Sequence, residues 1–463
     1  MSAPIGAQPD RRPVQTAMWY FLYNAVLLLA TPVILCLLLA KKRCRRGLPQ
    51  RFGFARPPIR PDERPLVWIH AVSLGEVVAV TPLVKELHRR HPDYRFAVST
   101  VTETGREAVE QRLRGVAEHC YAPLDFPWVV SCMIRHLRPV LYLFVETELW
   151  PNLLRSLHRS GIPTVLVNGR LSSRSFARQQ WEPVRSFYRS MLETLSLCLM
   201  QSDRDAERII ALGADAKVVK RTGNIKFDQP APESVDSRSV RSSLGLRDGE
   251  QLIVAGSTHP GEEEALVDAY RSLAEHHPSL LLLLAPRHIE RAEQVEAMVR
   301  ARGVSVRRRT AMKADRNETW SGPRVILLDS RGELATLYRE AVVAFVGGTL
   351  VPVGGHNLLE PALWGKPVLF GPYTDHCAEI AGFLLQAGGG VRVTGEELAK
   401  RIGELLDRPD EGARIGVAAR SVVEQNRGAL KATVDAVDDV LRAAVGTRRP
   451  APAPDSLPLM AGR

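Results

Sequence analysis

Two long stretches of this chain repeat one pattern: short apolar runs, each followed by residues whose apolar positions recur at helical spacing. Leu66-Val67-Trp68-Ile69-His70 predicts a first strand, and Val77 to His88 a helix. Phe96-Ala97-Val98-Ser99-Thr100 predicts a second strand, and Leu141–Val145, Thr164–Val167 and Leu197–Met200 supply more. The pattern then restarts. Leu252–Ala255, Leu280–Leu284, Val325–Leu328, Val342–Val346 and Val368–Phe370 predict a second set of strands, with a helix from Gly261 to Glu275. Apolar runs alternating with amphipathic helices build a parallel sheet covered on both faces. The expectation is two doubly wound α/β domains, 66–228 and 244–446, joined by a Pro-, Ser- and charge-rich linker at 229–243. Ligands of such folds bind beside the carboxyl ends of the strands, here in a cleft between the domains.

A different pattern precedes them. From Ala17 to Ala40 the chain is almost wholly apolar, interrupted mildly by Asn24, Thr31 and Pro32. About 20 apolar residues suffice to cross a bilayer as a helix. Trp19, Tyr20 and Tyr23 stand at one end, and Lys41, Lys42, Arg43, Arg45, Arg46, Arg51, Arg56 and Arg60 crowd the other. A signal peptide would have a shorter core and a small-residue cleavage site, whereas Lys-Lys-Arg follows directly. A buried soluble helix would not explain the flanks. The reading is a single membrane anchor at 17–40, after a flexible 1–16 and before a basic juxtamembrane segment, 41–65, suited to anionic lipid. The positive-inside rule puts all that follows on the cytoplasmic side. The tail, 447–463, is Pro-rich and reads as disordered.

At 463 residues with a net charge of +11, the chain has room for two or three domains and suits an anionic partner. Its six cysteines are scattered without a CxxC pair, which fits a reducing compartment. No GxxxxGK[ST] or HExxH stands in the sequence, which argues against a P-loop NTPase and a zinc hydrolase.

Candidate chemistry gathers after the predicted strands. VVAFVGGTLVPVGGHNLLEPALWGKPVLFGP, Val342 to Pro372, reads as strand, paired-glycine turns, helix start and strand. Such a turn brings backbone close to a ligand, and amides at a helix start can face a phosphate. Glu360 there suits the two hydroxyls of a ribose, or simply complements the helix dipole. Glu76, in HAVSLGE, is placed to take a proton or to stabilise its own helix. Of Glu146 and Glu148, at most one enters the cleft if the segment is extended. Asn168–Ser175, with two arginines and three serines, suits an anionic group or a capped helix start. Lys226 could neutralise charge on a leaving phosphate, and Arg287 could hold a phosphate bidentately.

In order, HAVSLGE, STVTETG, ETELWPN, NGRLSSRS, TGNIKFD, AGSTHPGEEE, APRH, DSRGEL and FVGGTLVPVGGHNLLEPA resemble the 3-deoxy-D-manno-octulosonic acid (Kdo) transferases of lipopolysaccharide synthesis, glycosyltransferase family 30. The resemblance runs from about Arg51 to Asn426 and includes the preceding anchor. It implies a GT-B glycosyltransferase at the cytoplasmic face of the inner membrane, moving Kdo from CMP-Kdo to the lipid A precursor with inversion. It also implies no metal, no cofactor and no nucleic-acid partner. By motif match Glu76 takes the general-base role, and Glu146 and Lys226 fall where the family stabilises its transition state. The CMP contacts would be Pro286, Arg287, Arg331, Gly332, Glu333, Asn357, Leu358, Leu359 and Glu360; at Arg331 the backbone can serve as well as the side chain. Two other readings stand beside this one. One is a GT-B enzyme or epimerase using a different nucleotide sugar, the other a tethered nucleotide-binding protein without catalysis.

Overall fold

The apolar runs become strands because each is sealed from water on both sides. In the computed structural model β1 (Leu66–His70), β2 (Arg95–Thr100), β3 (Glu118–Tyr121), β4 (Pro139–Val145), β5 (Thr164–Gly169), β6 (Leu197–Met200) and β7 (Val219–Arg221) form one sheet in the order β3-β2-β1-β4-β5-β6-β7. All its pairings are parallel. Alternate residues face opposite sides. Val67 and Ile69 thus enter one core with Leu83 and Val84, while Leu66 and Trp68 enter another with Tyr142 and Leu154. The edge strands β3 and β7 escape the apolar pattern because Glu118, His119, Lys220 and Arg221 meet solvent.

The second sheet comprises β8 (Gln251–Thr258), β9 (Leu280–Pro286), β10 (Ser305–Arg308), β11 (Arg324–Leu327), β12 (Ala341–Val346), β13 (Val368–Phe370) and β14 (Gly390–Arg392), ordered β10-β11-β9-β8-β12-β13-β14. Its pairings too are parallel. Its edges, β10 and β14, are again short and were not predicted. The description covers residues 12–40, 46–59, 62–228, 236–312 and 323–446. The expectations for 1–11, the basic run 41–45 and the tail from 447 lie outside the described residues.

Three boundaries differ from expectation. The expected second domain, 244–446, stops short of its last helix: the two compact units are Pro230–Asn426, and Met1–Gln229 together with Arg427 onward. The reason is a core contact. Ala429, Val434, Val437 and Leu441 of the helix Ala429–Gly446 pack with Val80 and Val84 of the first unit. Asp228 receives the amides of Gly428 and Leu430 at 2.7 and 2.8 Å, and Arg90 reaches Asp435 and Asp438 at 2.8 Å each. Second, part of the expected linker is the helix Ser237–Ser243, which buries Val240 against Leu252 and Leu281. Third, the apolar helix α1 (Arg12–Ala40) begins inside the segment expected to be flexible. Its membrane-length window is Ala17–Cys36.

One member of the basic cluster is not available to lipid. Arg51 is buried, its guanidinium 4.5 Å over the Tyr121 ring and hydrogen-bonded to the Val101 carbonyl.

Candidate functional site

In the first unit, the carboxyl ends of β1, β4 and β5 carry the acidic and amide side chains. Glu76 lies in the first turn of the helix Leu74–Arg90. Its carboxylate receives the Val72 amide at 2.8 Å and the Ser73 hydroxyl at 3.2 Å. Burial pushes its pKa up to about 8, and repulsion from Glu146 and Glu148 adds to the shift. A carboxylate so placed takes up and releases protons near neutral pH, as a general base must.

Glu146 follows β4 with φ +56, a left-handed conformation costing a non-glycine residue on the order of 1 kcal/mol or more. The turn aims its carboxylate at the Lys226 ammonium, 3.1 Å away. A chain of amides sets Lys226. Its own N–H donates to Asn224 Oδ1 at 3.0 Å, Asn224 Nδ2 to Gln201 Oε1 at 3.1 Å, and Gln201 Nε2 to the Asn168 carbonyl at 2.9 Å. Asn168, buried and also left-handed at φ +55, receives the Ile225 amide at 3.1 Å. Glu148 instead accepts from the Trp150 indole at 3.3 Å. The Trp150 ring meets His70 edge-on at 5.3 Å, and burial holds the His70 imidazole neutral with a pKa of about 4. Of the two readings of Asn168–Ser175, the capped helix is formed: Ser172 Oγ accepts the Ser175 amide at the start of Ser173–Gln179.

The second unit places its candidates at the ends of β8, β9 and β12, with one correction. The amides of the first glycine turn do not wait for a ligand. Glu262, 0% exposed, receives those of Gly348, Thr349 and Leu350 at 2.7, 2.9 and 2.8 Å, and that of His259 at 2.9 Å. An internal carboxylate occupies that turn. Gly347 is required there because a Cβ would lie 2.4 Å from the Ser257 carbonyl oxygen. The following helix is Leu359–Leu363, with Glu360 in its first turn. Asn357 ties that turn together, donating to Glu360 at 3.2 Å and accepting the Leu359 amide at 3.2 Å. Leu358 and Leu359 are fully buried, so their side chains belong to the core. Pro286 ends β9, and the Arg287 amide donates to the Thr258 carbonyl at 2.9 Å. Arg331 points away into an exposed ion pair with Glu290 at 3.0 Å. Gly332 is left-handed at φ +93, and Glu333 pairs with Arg309 at 2.9 Å.

Sequence reasoning did not single out a histidine pair. His259 Nε2 and His356 Nε2 are 2.8 Å apart with rings nearly parallel, so one proton is shared between them. Burial lowers both pKa values, that of His356 to about 3, and the Arg287 charge adds to each shift. Gln201 and Glu262 were also missed; neither residue type carries a spacing signal. Among the described residues no group of three His, Cys, Asp or Glu side chains forms a metal set.

Residues 46–229 match the family model of 3-deoxy-D-manno-octulosonic-acid transferase. The 3-deoxy-D-manno-octulosonic acid transferase of Haemophilus influenzae is 36% identical over 425 residues, covering 90% of this chain and 98% of that protein. The transferase of the same name from Chlamydophila psittaci is 32% identical, covering 86% and 91%. Among solved structures, a UDP-N-acetylglucosamine 2-epimerase from Listeria monocytogenes covers 84% of this chain and 99% of its own at a TM-score of 0.56 and 14% identity. A glycosyltransferase from Rickettsia africae gives 0.54 at 11%, covering 84% and 100%. These likenesses establish the GT-B fold.

Proposed function

Since this chain belongs to the 3-deoxy-D-manno-octulosonic acid transferase family, we propose that it moves Kdo from CMP-Kdo to the lipid A precursor, lipid IVA, with inversion at the anomeric carbon. The observation that carries the reading is Glu76, a buried carboxylate with a pKa near 8 in the electrostatic reach of Glu146, itself paired with Lys226. In this reading Glu76 removes the proton from the acceptor hydroxyl as its oxygen attacks the anomeric carbon. The bond to the CMP phosphate breaks, and the pair of electrons leaves with CMP. Positive charge developing on the sugar ring is stabilised by Glu146, and Lys226 holds that carboxylate in place and offsets negative charge nearby. Arg287 and the Pro286 backbone hold the phosphate and cytidine, with the Gly332-Glu333 turn and the Asn357–Glu360 segment. For Arg331 the exposed pairing with Glu290 favours a backbone contact over a side-chain one. No step is routed through a metal, a cofactor or a nucleic acid.

The same reading puts the enzyme at the cytoplasmic face of the inner membrane, held there through α1, where its lipid acceptor resides. The test is an assay of purified protein with CMP-Kdo and tetra-acylated lipid A precursor, reading product mass. One or more added Kdo units are expected. Unchanged acceptor mass, from protein that is folded and binds CMP, would overturn the reading.

A further inference from the structure

The helix α1 has the length and apolarity of a membrane span, but it touches the first unit in places a span would not allow. Among its less exposed positions Tyr20, Tyr23, Asn24, Leu27 and Thr31 are spaced three and four apart and share one helix face. Tyr20 is 2% exposed, under the Arg155 guanidinium at 4.2 Å and edge-on to Phe187 at 5.7 Å. Tyr23 donates to the Asp125 carboxylate at 2.9 Å. Asn24 and Asn152 exchange side-chain hydrogen bonds at 2.7 and 3.3 Å. The opposite face carries Phe21 at 77% and Leu29 at 81% exposure, with Met18, Leu22, Val26 and Val33.

Two contacts decide the geometry. The Leu124 amide donates to the Arg51 carbonyl at 2.8 Å, and the next residue, Asp125, receives Tyr23. Residues 23 and 51 are therefore fastened to consecutive positions of one loop. A span over 17–40 would carry Tyr23 into the hydrocarbon, about 25 Å along the helix from the end that leads to Arg51. Both arrangements cannot hold at once.

We propose that α1 is a docked interfacial helix and not a bitopic anchor: its polar stripe belongs to the wall of the first unit, and its apolar outer face lies in one leaflet of the membrane. The chain's amino terminus is then on the same side as both units. The surroundings fit a bilayer surface. Exposed aromatics stand on the segments that hold the stripe: Trp181 just before the Phe187 helix, and Phe54 and Trp128, stacked through Phe52 and Phe126 next to Asp125. Aromatic rings of this kind settle at the headgroup level. Beside Phe54 a cavity of about 450 Å³ is lined by Arg56, Arg135 and Arg138, which suits an anionic headgroup. An amphipathic helix lying in the interface binds through buried apolar area plus attraction to anionic lipid. Here the polar side of the amphipathic pattern is satisfied by protein.

The contact also reaches the chemistry. Asp125 accepts the amides of Asn152 and Leu153 at 2.9 Å, the first turn of the helix Pro151–Arg159. That helix directly follows the Glu146–Trp150 segment, so Tyr23 and Asn24 grip the base of the loop that carries Glu146.

The test uses the full-length chain in its native membrane, with Cys36, Cys44 and Cys132 changed to serine. An Asn24→Cys/Asn152→Cys pair is expected to form a disulfide on mild oxidation, detected as a linked peptide by mass spectrometry. Independently, Ser2→Cys is expected to resist an impermeant maleimide in right-side-out vesicles and to react in inverted ones. Labelling from outside, or no linked peptide from protein that retains transferase activity, would overturn the proposal. So would reconstituted protein that stays as a soluble dimer and does not float with vesicles containing anionic lipid, which would assign the apolar face to a second copy.

Discussion

At the scale of single residues, the proposed function rests on proton affinity and backbone conformation. Glu76 is held near pKa 8 against an ordinary value of 4.5, chiefly by burial. Its folded-state affinity for a proton is raised, so its contribution to stability is fullest below pH 4.5 and is lost as the pH climbs through 8. In the proposed mechanism activity runs the other way, because Glu76 would act as a base only when deprotonated. The kcat/KM profile is expected to rise through an apparent pKa near 8. Glu148→Gln removes one repelling charge and should move that limb to lower pH. Glu76→Gln should cut turnover by about 10²–10⁴-fold while raising thermal stability at pH 9. A limb that stays put in Glu148→Gln would show that Glu148 does not set the Glu76 proton affinity. A second expectation concerns Glu262. Glu262→Ala leaves four backbone amides, two of them buried, without their acceptor. It should cost on the order of 3 kcal/mol or more, read as a lower Tm, and should weaken CMP binding through the displaced glycine turn. What could be read from the sequence was position: Glu76, Glu146 and Lys226 follow strands in recognisable motifs, and the structure places them there. The site was illegible where a residue acts only by hydrogen-bonding another's backbone. Gln201 and Glu262 look like any surface side chain until the turn they hold is folded.

At the scale of elements, legibility tracked burial. The inner strands β1, β4 and β9, buried along their whole length, stood out as uninterrupted apolar runs. The edges β3, β7, β10 and β14 did not, since each is short and mixes polar residues that meet water with the one or two, such as Cys120 and Val306, that enter a core. The last helix was misassigned for a related reason. Its apolar stripe announces that it packs but not on which sheet; that is decided by Asp228 and Arg90, far away in the chain. The same ambiguity governs α1. Hydropathy weighs the sum over its residues, whereas Tyr23, Asn24 and Thr31 report through their spacing. Tyr23→Phe with Asn24→Leu makes the helix more apolar, so simple hydropathy predicts firmer membrane retention and unchanged turnover. The docked helix predicts the reverse for catalysis: kcat about tenfold lower, on the order of 1.4 kcal/mol, with membrane retention intact.

At the scale of the whole molecule, the chain leaves its first unit at Gln229 and rejoins it at Arg427. Asp228, at the exit, binds the amides of Gly428 and Leu430 at the return. The second unit is therefore an insertion, self-contained in its own sheet and cores. A fragment covering 237–426 is expected to fold alone and bind CMP. A fragment ending at 228 lacks Ala429, Val434, Val437 and Leu441 from its core and is expected to aggregate. A soluble, cooperatively melting 46–228 fragment would show that the returning helix is dispensable.

That returning helix also sets an order of events during synthesis. As the chain emerges from the ribosome, the first sheet is complete long before the helix that covers it has been translated. The apolar α1 is exposed from the outset, and Val80, Val84 and their neighbours stay uncovered while the whole inserted unit is made. The nascent enzyme thus presents two sticky surfaces at once, one meant for lipid and one meant for its own last residues. Reaching the bilayer early removes the first from the cytosol, which makes co-translational delivery to the membrane an advantage for folding as well as for meeting the acceptor.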